Sequence, residues 1–256
     1  MKILVTGASG FIGQNMVNGL REEHEVIPHE WGQTISKIKE VDWVVHLGAI
    51  SSTVEQNVAK IYRQNLDFSI NLYEECIKNK VNFQFASSAS VYGLKSSFEE
   101  SAPLKPQNHY ARSKAMFERY IELRNASITT QTFRYFNVYG PHEDHKGGQA
   151  SPHTQFTKQA KETGLIKLFE GSKNYKRDFI NVGQIVDYHK QFFSIEESGV
   201  WNMGTGVAKS FYDVAKEIAQ YHTAKLEYIE MPKILKNNYQ EFTKADTVKL
   251  QETLSK

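Results

Sequence analysis

The chain predicts an α/β fold, a doubly wound parallel sheet with a smaller C-terminal lobe, and three features carry that prediction. A short apolar run at the N-terminus meets a turn with glycine at positions 7, 10 and 13, and an amphipathic stretch follows. Strand-like and helix-like stretches then alternate, the pattern of parallel strands joined by crossover helices. With 256 residues, 40% hydrophobic and 23% charged, the chain can bury a core of that size.

Lys2 to Thr6 is the first strand, since its apolar segment is too short for a signal peptide. It runs into Gly7-Ala8-Ser9-Gly10-Phe11-Ile12-Gly13, and a helix continues to about Glu23. Without Cβ atoms a pyrophosphate can approach the backbone and the helix N-terminus, so Gly7, Gly10 and Gly13 are candidate nucleotide-binding residues. Glu25-Val26-Ile27 is the second strand, followed by Pro28-His29-Glu30-Trp31 where a ribose-reading Asp is expected. Glu30 can take that role, or Arg21 and nearby lysines can accept a 2′-phosphate, which leaves NAD and NADP both open. The connection that follows has room for one small helix near Ile35 to Lys39. Val41 to His46 is the next strand, and the small residues of Leu47-Gly48-Ala49-Ile50-Ser51-Ser52 let a cofactor lie across the strand ends. A helix from about Ala59 to Asn79 carries Asn65 and the lone cysteine, Cys76, which reads as a packed helix residue. Asn82 to Ala86 is the strand that leads into Ser87-Ser88-Ala89-Ser90-Val91-Tyr92-Gly93. Further on, Val200 to Met203 precedes Gly204-Thr205-Gly206, a strand-to-helix turn near the lobe with Ser210 as the helix cap. Trp31 and Trp201 read as packing residues.

Asn108 can cap a helix that begins near Tyr110. Within it, Tyr110-Ala111-Arg112-Ser113-Lys114 stacks a phenol and an ammonium one above the other on a single helix face. An ammonium beside a phenol favours the phenolate and lowers its pKa from about 10 towards neutrality, where it can take and return a hydroxyl proton. Ser87 and Ser88, at the carboxyl edge of the sheet, are turn residues by default and become catalytic candidates beside that pair.

The net charge of +2, with Lys and Arg spread along the chain, points to neither nucleic acid nor a membrane surface. No apolar run approaches the ~18 residues of a spanning helix. A single cysteine excludes an internal disulfide and fits a reducing compartment, so the expected location is cytoplasmic. His142-x-x-His145 with Glu143, Asp144 and His153 lies in a polar loop without cysteines or a helical frame, and no metal is expected there.

Gly7-x-x-Gly10-x-x-Gly13, the Ser87-Ser88 segment and Tyr110-x-x-x-Lys114 together resemble the extended short-chain dehydrogenases/reductases, Rossmann-fold enzymes that mostly act on nucleotide sugars. The resemblance covers nearly the whole chain. From Phe133 onward it narrows to a branch that epimerises a nucleotide-linked heptose for lipopolysaccharide. That likeness rests on Phe133-Arg134-Tyr135-Phe136-Asn137-Val138-Tyr139-Gly140-Pro141, His145-Lys146-Gly147, Leu168-Phe169-Glu170-Gly171-Ser172, Lys176-Arg177-Asp178-Phe179 and Tyr239-Gln240-x-Phe242-Thr243.

By this resemblance Tyr110 and Lys114 match the family's catalytic pair, Ser88 is the serine that bonds the reacting oxygen, and Lys146 matches the branch's second base. Phe11, Ile12, Leu47, Gly48, Ala49, Ser51 and Asn65 fall where the family contacts its cofactor, one NAD or NADP per chain. Asn137, Val138, Lys146, Phe169, Glu170, Gly171, Ser172, Arg177 and Tyr239 fall where the branch holds a nucleotide-diphosphate sugar. Gln155 stands where the branch has a substrate-contacting His. An Arg and a Phe beside a Gly-Ser turn suit a diphosphate and a stacked base. The implied organisation is a dinucleotide-binding domain over 1–136, to which 177–194 returns, and a substrate-binding lobe over 137–176 and 195–256, in a homo-oligomer.

The expected activity is epimerisation of a nucleotide sugar by transient oxidation and re-reduction with bound NAD(P). A UDP-sugar 4-epimerase would use the same machinery, and the short segment after Ile27 also resembles NADPH-dependent sugar reductases. Dehydratases of the family carry an Asp-Glu pair where Ala89-Ser90-Val91 has no carboxylate. A non-catalytic dinucleotide-binding regulator need not keep Tyr110 and Lys114, and both are present.

Overall fold

In the computed structural model, which describes residues 1–35, 38–52, 55–94, 97–232 and 240–256, the chain builds its main sheet first. β1 (Lys2–Thr6) leads through the glycine turn to α1 (Phe11–Leu20), and β2 (Glu25–His29) returns parallel to β1. The expected small helix is a single 3₁₀ turn, Ile38–Glu40, before β3 (Trp43–His46). The long helix is divided: α2 (Val58–Tyr62) and α3 (Phe68–Asn79) flank a π turn at Arg63–Asp67. β4 (Asn82–Ser88), α4 (His109–Arg124) and β5 (Thr130–Tyr135) complete the first half, with Asn108 capping α4 through Ala111 N at 2.8 Å.

The lobe is built from β6 (Asn137–Tyr139), α5 (Pro152–Thr163), β7 (Leu165–Phe169), β8 (Lys176–Asn181), β10 (Ala208–Ser210), α7 (Phe211–His222) and β11 (Lys225–Ile229). Ser210 caps α7 in a capping box with Asp213, as its position in the sequence predicts. Three further elements return to the main sheet. α6 (Val182–Phe192) packs on α1, and β9 (Gly199–Met203) lies beside β5, with α8 (Val248–Leu254) against it.

The main sheet is therefore six parallel strands in the order β2-β1-β3-β4-β5-β9. Small sheets of β10-β8-β6 and β11-β7 belong to the lobe. This redraws the expected division at two points: 199–203 and 248–254 belong with the main sheet, and of 177–194 only the helix returns to it, because its strand pairs with β6 and β10. Among the described residues β2 is the edge of the sheet, since none of those after it adds an outer strand.

Alternation along the strands divides the core between the two faces of the sheet. Ile3 and Val5 of β1 face α1 and α6 with Met16, Val186 and Phe192, while Leu4 faces α3 and α4 with Leu72, Cys76, Phe83 and Phe117. Cys76 is buried there and burial pushes its thiol pKa up, as a packing residue requires. A third cluster, with Phe156, Leu168, Phe179 and Val214, holds the lobe together. Trp201 is buried and its indole N–H donates to Thr253 Oγ1 at 2.9 Å. The turn at 204–206 wraps the buried Asp178 carboxylate, which accepts from Thr205 N, Gly206 N and Ala245 N.

Candidate active site

At the carboxyl ends of β1 and β3, where strand order reverses direction, the chain leaves a cavity of about 360 Å³. Gly7 adopts φ +67°, and a Cβ there would lie 2.6 Å from Gly48 Cα; a Cβ on Gly13 would lie 1.9 Å from the Gly7 carbonyl oxygen. Only glycine lets these two turns close on each other and leaves the α1 N-terminus open to the cavity. Gly10, Phe11, Ile12, Leu47, Gly48, Ala49 and Ser51 line it as well. The glycine cradle and the bare helix N-terminus fit the pyrophosphate of a dinucleotide.

Asn65 does not line the cavity. Its buried amide accepts from Ile50 N at 2.8 Å and donates to Ile50 O and Ser113 Oγ, so it braces the loop after β3 against α4. The π turn brings it inward, and its neighbour Gln64 lines the cavity. A second brace runs through His46, which is fully buried. Ser69 Oγ donates to Asn65 O, so it must accept from His46 Nε2–H at 2.7 Å. His46 Nδ1 then accepts from Thr6 Oγ1 at 2.6 Å, and Thr6 Oγ1 in turn accepts from Gly48 N. Burial, with the nearby Lys114, holds the imidazole well below its usual pKa and neutral, as this chain requires.

The first turns of α4 bring Tyr110 and Lys114 to the same cavity. Ser88, the N-cap of the 3₁₀ turn Ala89–Tyr92, hydrogen-bonds the Tyr110 side chain. Ser87 is not free to do so, because its hydroxyl donates to the buried Glu118 carboxylate. Lys114 is 2% exposed, donates to Ala86 O at 2.7 Å, and sits 4.6 Å from the Phe85 ring centre and 6.0 Å from that of Tyr110. Burial pushes its pKa down to about 7, with Glu118 opposing. Burial also raises Tyr110, against the Ser88 hydrogen bond. The expectation that the ammonium lowers the phenol is thus reversed here: desolvation disfavours both charges, and the Lys114 ammonium is engaged with the Ala86 carbonyl.

Lys146 enters the cavity from a separate wall. It belongs to the 3₁₀ segment Asp144–Gln149, lies 4.6 Å over the Phe11 ring, and burial lowers its pKa against the pull of Glu143. His145 lines the cavity beside it, whereas His153 stacks flat on Tyr139 at 3.7 Å. Residues unmarked in the sequence also line it: Thr6, His29, Gln64, Phe68 and Tyr135. The signal for Thr6, His29 and Tyr135 was the carboxyl end of a parallel strand; Gln64 and Phe68 come from the π turn and the start of α3 and had none. Trp31 is a correction, since it is 44% exposed and lines the cavity rather than packing in a core.

A second cavity of about 430 Å³ opens in the lobe, lined by Phe169, Ser172, Tyr175, Phe211, Gln155 and Gly148 among others. Ser172 Oγ is buried there without a hydrogen-bond partner. The Asp144–Gln149 segment serves both cavities, Lys146 facing the first and Gly148 the second. Gln155 is held by donating to Gly148 O and Ala150 O. Arg177 lies 5.4 Å from the Phe211 ring centre and its guanidinium bonds the carbonyls of Lys176 and Gln240. Asn137 donates to Asp178 O and Thr243 Oγ1, Val138 packs on the main core, and Glu170 N bonds Ile229 O, so these three brace the lobe beside the cavity. Gly171 makes the turn before Ser172 with φ +81°. Tyr239 lies outside the described residues.

Among the described residues no helix is long and apolar enough to cross a membrane. A model of the NAD dependent epimerase/dehydratase family matches residues 28–204. The chain is 35% identical to an ADP-L-glycero-D-manno-heptose-6-epimerase of Brachyspira hyodysenteriae, over 97% of this chain and 90% of that protein. Its fold matches the crystal structure of Helicobacter pylori ADP-L-glycero-D-manno-heptose-6-epimerase with a TM-score of 0.88 at 24% identity, covering 99% of this chain and 90% of that one. It also matches Thermus thermophilus UDP-glucose 4-epimerase in complex with NAD, with a TM-score of 0.84 at 25% identity over 98% and 92%.

Proposed function

The chain belongs to the NAD dependent epimerase/dehydratase family, and on that premise we propose that it is a nucleotide-sugar epimerase whose substrate is an ADP-linked heptose. One observation carries the reading: Tyr110 and Lys146, two proton-transferring side chains on separate elements, line one cavity with the glycine cradle. The family's cofactor is NAD, and Gly7 to Gly13, Leu47 to Ala49, Ser51, Tyr110 and Lys114 are the residues that would hold it. Glu30 lies in the same cavity at the end of β2, where a carboxylate suits a free ribose diol and opposes a 2′-phosphate. Bound there, NAD supplies reversible hydride acceptance.

The protein's part is binding and proton transfer. Ser88 and Tyr110 hydrogen-bond the sugar hydroxyl at the carbon to be inverted, and Tyr110 takes its proton and gives it back. Lys114, with a pKa near neutrality, exchanges a proton at little cost, and its hydrogen bond to Ala86 O ties α4, which carries Tyr110, to β4. Lys146 offers a proton site on the other wall, so the two faces of the reacting carbon meet different acid–base groups. Two acid–base groups on opposite walls fit inversion better than a one-way reduction. The nucleotide lies in the lobe cavity, its base against Phe169 and Phe211, which brings the sugar past Asp144–Gln149 to the catalytic residues. As a heptose epimerase it would serve lipopolysaccharide synthesis and would act as a homo-oligomer in the cytoplasm, a location its single buried thiol suits.

The test is to incubate the protein with NAD and ADP-L-glycero-D-manno-heptose and follow the appearance of the C6 epimer by NMR. Tyr110→Phe and Lys146→Met should each slow it by at least ~100-fold. Normal rates in both would sink the proposal. The match to UDP-glucose 4-epimerase supports a second reading, which turnover of UDP-glucose without turnover of the ADP-heptose would favour.

A further inference from the structure

Glu143 is 2% exposed, and four donors surround its carboxylate: Gly140 N at 3.1 Å, Ser151 N at 2.6 Å, and the hydroxyls of Ser151 at 2.7 Å and Thr154 at 2.9 Å. Among the described residues no cation pairs with it. Closing this loop does not by itself call for a charge. Ser151 already caps α5 by accepting from Thr154 N at 3.3 Å, and neutral caps such as Asn108, Asn181 and Ser210 serve elsewhere in the chain. A buried carboxylate is costly to desolvate, so its charge points to a second task. The loop it closes is sharply bent, with Gly140 at φ +152°, His142 at φ +70° and Gly147 at φ +52°, and Lys146 lies among these bends. Lys146 N donates to Glu143 O at 2.9 Å, so the two residues share one turn. On its other side the loop docks on α1, where Asn15 Nδ2 donates to Pro141 O at 2.9 Å and the Lys146 amine sits over Phe11.

We infer that Glu143 is the positioning residue of Lys146, fixing the turn that carries the amine to the cavity wall and setting beside it the negative charge that keeps its proton. The inference rests on the reading of Lys146 as the second acid–base group, and it names what fits that lysine to the task. Burial alone drives the amine towards its neutral form, and Glu143 is the charge that opposes it. His29, Glu30, Tyr110, Lys114 and His145 share the cavity with Lys146, the exposed Asp144 stands two residues before it, and from α1 it meets the uncharged Phe11. With its oxygens engaged by four donors, Glu143 attracts the amine without capturing it in an ion pair. Lys146 stays free to meet a substrate oxygen.

Labelling with acetic anhydride across a pH series gives a readout independent of turnover, because only the neutral amine reacts and mass spectrometry follows Lys146 by itself. In Glu143→Gln the midpoint of Lys146 labelling should fall by about one pH unit, and the epimerase kcat should fall by roughly 10-fold. A folded Glu143→Gln protein with an unmoved midpoint overturns the inference and leaves Glu143 as a loop closure only. Thr154→Val, at a half-buried site, removes one of the four hydrogen bonds and leaves the charge. It should lower kcat several-fold with the midpoint unchanged, and a wild-type kcat there overturns the positioning even where Glu143→Gln fails to fold. Normal rates in Lys146→Met sink the reading of Lys146 and leave a shifted midpoint in Glu143→Gln standing. A slow Lys146→Met beside an unmoved midpoint in Glu143→Gln overturns this inference alone.

Discussion

Glu118 stands one helical turn beyond Lys114, as Lys114 stands one turn beyond Tyr110, so three ionisable side chains share a face of α4. Glu118 is buried against Arg134, with Nη2 to Oε2 at 2.6 Å, and it also accepts from Ser87. It therefore fixes the strand end that presents Ala86 to Lys114 and Ser88 to Tyr110. Its negative charge raises the Lys114 pKa against burial. Glu118→Gln removes that charge, so Lys114 should lose its proton at lower pH and the alkaline limb of the kcat/KM profile should move down by about one pH unit. Stability should fall by roughly 3–5 kcal/mol, because Arg134 is left buried without its partner. A pH–rate profile and a denaturant titration of the variant check both, and an unmoved alkaline limb would show that Glu118 only holds the fold. The Tyr–Lys spacing was legible in the sequence and so was Ser88 through family likeness. Glu118 was not, since its role depends on Arg134 from another strand.

At the scale of elements, strands and helices followed from apolar runs, glycines and caps, and Asn108 and Ser210 cap the helices their positions suggest. Two features escaped. The π turn at Arg63–Asp67 has no composition of its own; it is forced by the contacts Asn65 makes with Ile50 and Ser113. β9 read as a lobe strand because its partner β5 is distant in sequence, and register between remote strands leaves no local mark. Asn65 braces the cofactor loop without touching the cavity, so Asn65→Ala should act on affinity. We expect NAD to bind about tenfold more weakly and the epimerase rate to recover at saturating NAD, which calorimetry and a cofactor titration of the rate would separate. A rate that stays low at saturation would place Asn65 in the chemistry itself.

Across the whole molecule, the proposed function assigns proton transfer to the cavity in the sheet half and nucleotide recognition to the cavity in the lobe. Phe169→Ala should therefore raise KM for ADP-heptose by tenfold or more, on the order of 1.4 kcal/mol, and leave kcat near wild type, because the base is held alike in ground and transition states. A fall in kcat at constant KM would move Phe169 out of that role. The lobe was legible only by likeness, since its side chains converge from α5, β7 and α7 and no short motif joins them. The place of β2 at the sheet edge has one more effect. Among the described residues no strand pairs with its outer side, the usual template for unwanted addition of another strand. Pro28 has no N–H to offer along that edge, so the chain can keep its cofactor end open while presenting a poorer template for copies of itself.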